Sequence, residues 1–168
     1  MDRPCRQIAA RGSRCFTWDW WPVPAVDAAP TFAAILVARQ GGYLELKLGG
    51  DNEGTRQEVA DTNVLETTYT TATGAVRVTD TLPLGRSGRL AWSELARFVE
   101  PLSGSVEMQW SVVPGSQLGD AQPWVAERQD ATVIRVGEDQ LVLRHFDVGE
   151  PFTDGHRISA RFTAAPGT

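Results

Sequence analysis

Asp19 and Asp27 flank a segment dense in tryptophan and proline, and Asp147, Glu150 and Asp154 gather near the end of the chain. Paired carboxylates are what glycoside hydrolysis requires: one acid protonates the leaving oxygen while the other serves as base or nucleophile. With 21 acidic residues, however, such groupings arise in loops by number alone. A catalytic one would be marked by burial that perturbs its pKa. A hydrolytic triad is harder to assemble, because no serine sits in a G-x-S-x-G elbow. "SGSV", Ser103 to Val106, has its glycine elsewhere and reads as a turn between strands. His145 follows Leu141 and Leu143 at period two, which predicts a partly buried, satisfied histidine. His156, beside Asp154 and Gly155, reads as a turn residue.

The remaining chemistry is sparse. Cys5 and Cys15 lack the paired spacing of a zinc site, and both histidines lie far from them in sequence, so no metal is expected. No glycine-rich phosphate loop is present, and no cofactor is expected. A net charge of −5 with scattered arginines argues against a nucleic-acid partner. No stretch approaches the roughly 20 apolar residues of a membrane span. The N-terminal "MDRPCRQIAARGSR" has no apolar region behind its positive charge, so a cytoplasmic protein with free thiols is expected.

Six tryptophans stand out, three of them at Trp18, Trp20 and Trp21. Aromatic rings can stack on sugars, so a carbohydrate-binding face is one reading, with Trp18, Trp21 and Trp124 as its candidates. Large aromatics close to proline more often form core, or a surface buried against a neighbour.

These residues need elements to hold them. Pro22, Pro24 and Pro30 exclude a regular helix or central strand through the first half of the Trp segment. Pro30 suits a helix's first turn, and Phe32 to Arg39 then reads as a short helix closed by Gly41 or Gly42. Everything downstream alternates. Leu44, Leu46 and Leu48 share a face, as do Val106, Met108, Trp110 and Val112, and then Ile158, Ala160 and Phe162. Further strands are expected over Val64–Thr71, Ala75–Leu82, Leu90–Val99, Ala131–Val136 and Leu141–Phe146, separated by turn signals. Pro114 to Trp124 is the longest expected loop. Many short strands without crossover helices predict an all-β, antiparallel two-sheet β-sandwich with one short helix near Thr31–Arg39. The 168 residues suggest a single domain.

The stretch "DTNVLETTYTTATGAVRVTDTLPL", Asp61 to Leu84, resembles the N-terminal β-sandwich module of bacterial glycoside hydrolase family 15 proteins, the glucoamylase-like and trehalase-like enzymes. Asp61-Thr62-Asn63-Val64-Leu65-Glu66-Thr67, Gly74, Val78, Thr79-Asp80 and Pro83-Leu84 carry the likeness. Asp19, Trp20, Pro24, Asp27, Phe32, Ala33, Ala34 and Leu36, followed by Gly41-Gly42, resemble a second block. "LARFVEPLSGSVEMQW" resembles a third, and Cys5-Arg6 a short pair near the family's start. Two features depart from the pattern. Pro24-Ala25-Val26-Asp27 lacks an arginine that the family usually has, and "PGSQLGDAQPW" replaces its Arg-Phe-Asp-Tyr-Gly-like loop.

The resemblance implies a supersandwich-like module that precedes an (α/α) helical barrel carrying two catalytic glutamates. That barrel is absent from these 168 residues, and the module itself is expected to be truncated at its C-terminal end. No catalytic residue carries over. The implied role is a non-catalytic docking scaffold in α-glucoside or trehalose breakdown, partnered by the barrel or by a second copy. Trp20, Trp21 and Pro24 are the expected docking contacts, with Trp18, Asp27 and Trp124 as further interdomain or sugar contacts. The alternative is a stand-alone carbohydrate-binding module using exposed tryptophans. Asp61 and Asn63 are expected to bond local backbone at a strand entry, and Asp80 to do the same or pair with an arginine.

Overall fold

The computed structural model describes residues 15–23, 27–50, 52–83, 92–128 and 131–167. The chain is all-β and built of antiparallel sheets, consistent with a β-sandwich. Its strands are β1 (Cys15–Trp18), β2 (Trp21–Pro22), β3 (Pro30–Phe32), β4 (Tyr43–Leu48), β5 (Asn52–Glu58), β6 (Val64–Thr71) and β7 (Gly74–Thr81). There follow β8 (Ala96–Gly104), β9 (Val106–Val113), β10 (Trp124–Arg128), β11 (Ala131–Val136), β12 (Asp139–Leu143), β13 (Phe152–Thr153) and β14 (Ile158–Ala164). Besides two larger sheets, with orders β1-β4-β9-β14-β13 and β5-β6-β7-β8, there are two small ones, β10-β11-β12 and β2-β3. No helix among the described residues is long and apolar enough to cross a membrane.

Two compact units divide the chain. One comprises Met1–Lys47 and Gln109–Phe162, the other Leu48–Met108 and Thr163–Thr168. In the first, Leu46 on β4, Val112 on β9, and Ile158 and Ala160 on β14 are buried as expected, while Leu44, Trp110 and Phe162 are part-buried and Ser111, expected on the opposite face of β9, is buried too. Val125, Ile134 and Val136 give the three-stranded sheet its own buried side.

The expected helix near Thr31–Arg39 does not form. Pro30–Phe32 is a strand instead, paired with Trp21–Pro22, and the residues after it make two successive turns, one from Ala33 to Val37 and one from Val37 to Gly41. The reason lies in the backbone bonds. In a helix the Thr31 carbonyl would accept from the Ile35 N–H. Here it accepts from Gly115, and the Ile35 N–H goes to the Asp19 carbonyl. A segment this short has too little cooperativity to resist such competition. Gly41 and Gly115 serve this crossing, not a helix end. A Cβ on Gly41 would strike the Ala33 backbone, and one on Gly115 the Gly41 carbonyl.

The second unit carries the hairpin sheet β5 to β8. β6 and β7 run in register from Val64 opposite Thr81 to Thr70 opposite Ala75, close to the expected bounds. Val76, Val78 and Asp80 occupy one side and are buried, with Thr67 and Tyr69 on that same side. β8 starts later and ends later than the expected Leu90–Val99, and part of that range lies outside the described residues. Gly104 closes the turn into β9 at φ 63, where a Cβ would meet the Thr73 carbonyl.

Candidate functional site

Most of the candidate residues lie in the Trp segment. β1 ends at Trp18 and β2 begins at Trp21, so no single strand sets the three rings alternately. Trp18 is core, 6% exposed, and its buried indole N–H has no hydrogen-bond partner among the described residues. That removes it from any surface groove. Trp20 is part-buried, and Trp21 leans on Phe32 across the small ribbon with ring centroids 5.8 Å apart. Asp27 is exposed, and Pro24 lies outside the described residues. Asp19 is part-buried; burial raises its pKa, while a hydrogen bond to its own backbone N–H pulls the other way. Its Oδ1 finds no hydrogen bond among the described residues.

The Asp61–Asn63 stretch forms the turn between β5 and β6. Its bonding falls to the residue between the two expected ones. The Thr62 hydroxyl donates to the Val59 carbonyl at 2.8 Å and accepts from the Val64 N–H at 3.1 Å. Asp61 sits at φ 60, where the left-handed turn needs a short polar residue, glycine or asparagine. Neither the Asp61 nor the Asn63 side chain makes a hydrogen bond among the described residues, so the expected capping role belongs to Thr62. With Thr81, Leu82 and Pro83 the three turn residues line a shallow, open groove.

Asp80 takes the second of its two expected roles. It is buried and paired two-pronged with Arg97, at 2.6 Å to Nε and 3.1 Å to Nη2. Asp80 and Arg97 face each other across β7 and β8. Tyr69 belongs to the same side of the sheet, its ring lying over Gly54 on β5. Burial raises the Tyr69 pKa, with Arg56 and Arg97 lowering it and Asp80 adding to the rise. The set is an internal polar network that fixes one side of the sheet; no nucleophile stands opposite a base in it.

The C-terminal carboxylates stay apart in role. Asp154 accepts from the His156 and Arg157 N–H groups at 2.9 and 2.8 Å, which lowers its pKa; the carboxylate is a turn cap. Asp147 is exposed at φ 55. His145 is part-buried and rests near the Trp110 ring, 6.3 Å between centroids, as its place after Leu143 suggested. Among the described residues no three His, Cys, Asp or Glu side chains are placed to hold a metal ion.

Exposed aromatics are what residue-by-residue reading missed. Phe98 (62%), Phe146 (77%) and Phe152 (70%) face solvent, as does Trp92, whose indole N–H donates to Glu94 at 3.2 Å. Phe146 is held out by a pinned loop. The Trp110 indole donates to the Val148 carbonyl at 2.9 Å, and Gly149, at φ 83, packs where a Cβ would strike the Arg161 carbonyl. Of the tryptophans singled out from sequence, Trp124 is the exposed one, at 51%. It sits at the start of β10, opposite Arg135. Comparison with protein-family models, curated proteins and solved structures finds no match for this chain.

Proposed function

We propose that this chain is a non-catalytic β-sandwich module that works by docking, as the resemblance to the N-terminal module of glycoside hydrolase family 15 enzymes implies. Its partner would be a helical catalytic domain or, failing that, a second copy, in the setting of α-glucoside breakdown. One observation supports this most. Phe146 and Phe152 are large, mostly exposed rings six residues apart, and the loop behind the first is tied down by Trp110 and Gly149. Rings presented on a stiff support lose little freedom on docking, which is what a preformed interface needs. Trp20 and Trp21 contribute less than their number suggested, because Trp21 already packs on Phe32.

Sedimentation velocity across a concentration series tests the docking surface. The wild type is expected to self-associate, and Phe146→Ser with Phe152→Ser to shift it toward monomer with improved solubility. A wild type monomeric throughout, with unchanged solubility in the double variant, removes the argument. Release of glucose from trehalose or maltose by the purified chain would overturn the non-catalytic part.

A further inference from the structure

We propose that the outer side of the three-stranded sheet is a platform for a neutral hexopyranose chain, with Trp124 as the stacking ring and Arg135 and Gln140 as hydroxyl partners. The register sets these three in one row: Trp124 opposite Arg135, and Arg135 opposite Gln140. Residues directly opposite in antiparallel strands share a face. Strands lie about 4.8 Å apart, so the row crosses about 10 Å of flat surface. The neighbouring row on the same face is Ala126, Val133 and Val142. Burial agrees with this assignment. Trp124, Arg135, Gln140 and Val142 are exposed, whereas Val125 and Ile134 on the opposite side are buried.

The chemistry of the row selects the ligand. A pyranose presents a face of C–H groups and a rim of hydroxyls. An indole offers a broad apolar surface to the face. A guanidinium and a carboxamide offer planar arrays of donors, and the amide an acceptor, to the rim. The side chains of Arg135 and Gln140 make no hydrogen bond or ion pair among the described residues, so those groups are open to a ligand. The reading does not depend on the docking surface, since Phe146 and Phe152 are not part of the row.

Native gel electrophoresis of the full chain through gels containing a soluble α-glucan, and separately a soluble β-glucan, tests this, with calorimetric titration of maltoheptaose as the quantitative arm. The expected result is retardation by at least one glucan, with a dissociation constant on the order of millimolar for a short oligosaccharide. Trp124→Ala is expected to weaken binding by about tenfold or more, Arg135→Ala by less, and Trp124→Phe to keep part of the affinity. Phe146→Ser is expected to bind like the wild type, which separates the platform from the docking surface. An unchanged melting temperature in Trp124→Ala shows that lost binding is not lost folding. Absence of retardation of the wild type by both glucans overturns the proposal. So does retardation that survives both Trp124→Ala and Arg135→Ala.

Discussion

On β8 an arginine is turned to the buried side of its sheet and a phenylalanine to solvent; on β10 a valine is buried and a tryptophan exposed. The two strands alternate equally well, yet only one obeys the usual ordering of polar outside and apolar inside. On β8 the inversion has a local cause. Arg97 faces Asp80 across the ladder, and a buried carboxylate is tolerable only beside a charge that bonds both its oxygens. Once Arg97 is committed, period two forces Phe98 to the other side. On β10 nothing inverts the pattern. Val125 and Ile134 pack inward as expected, and the exposure of Trp124 is not a by-product of a buried charge. Phe98 is outside because of its neighbour. Trp124 is outside with no such cause, on a face open to a ligand.

The largest effect should come from breaking the pair that inverts β8. Asp80→Ala leaves a guanidinium in a largely buried place, and losing one partner of a buried pair costs about 3–5 kcal/mol. Replacing both charges, as in Asp80→Leu with Arg97→Met, is expected to recover most of that, because it removes two desolvated charges at once. Urea unfolding midpoints of the two variants beside the wild type decide the matter. If the double variant is no more stable than the single one, the polar network is needed for more than mutual compensation.

On the three-stranded sheet the two faces should respond in opposite ways. Ile134→Ala removes a side chain 3% exposed and is expected to cost about 2–5 kcal/mol. Trp124→Ala on the other face should stay within about 0.5 kcal/mol of the wild type in the same urea titration. A large loss at Trp124 would mean that the ring packs against its own chain, and the contrast between the two strands would disappear.

The same contrast separates what residue order alone discloses from what depends on distant partners. Regular alternation makes β4, β6, β9, β11 and β14 legible, since one apolar side needs no further information. β5 is not legible, because "NEGTRQE" has no apolar side; it is an edge strand, exposed nearly throughout, held by its ladder to β6. The Phe98 face is ambiguous for a different reason. Ala96-Phe98 and Val99-Pro101 each offer an apolar side, and only the distant Asp80 decides between them. Residues 31–39 fail as a helix because carbonyl and N–H partners of Thr31, Ala33 and Ile35 lie at Gly115, Gly41 and Asp19, contacts that no local pattern announces. As for the candidate surface, Trp124 is visible as a residue, but Arg135 and Gln140 come beside it only through strand register.

A smaller effect is expected at the β5–β6 turn. Thr62→Ala removes the hydroxyl that both donates to Val59 and accepts from Val64, while the turn stays open to water. Loss of such a capping side chain costs about 1 kcal/mol. Asp61→Gly, at φ 60, is expected to be neutral or slightly stabilising, since glycine adopts that region freely. If Thr62→Ala unfolds no earlier than the wild type, water replaces the hydroxyl fully and the turn is held by its backbone bonds alone.

The smallest expected effects separate two carboxylates by sign. Asp154, fully exposed, has its pKa lowered from 3.8 by the two N–H bonds it accepts. A lowered folded-state pKa adds stability above the unfolded value, and that stability is lost as pH falls through the folded one. Asp154→Ala should therefore be slightly less stable than the wild type near neutrality and converge with it below pH 3.8. Asp19 is the reverse case, raised from 3.8 chiefly by burial. Its contribution is fully present below the unfolded pKa and is lost as pH rises through the folded one. Asp19→Asn, which keeps the shape without the charge, should then gain slightly on the wild type above that range, the gain vanishing in acid. Thermal unfolding from pH 3 to pH 7 reads both. Two variants that drift in the same direction would show that Asp19 is ionised in the fold without penalty.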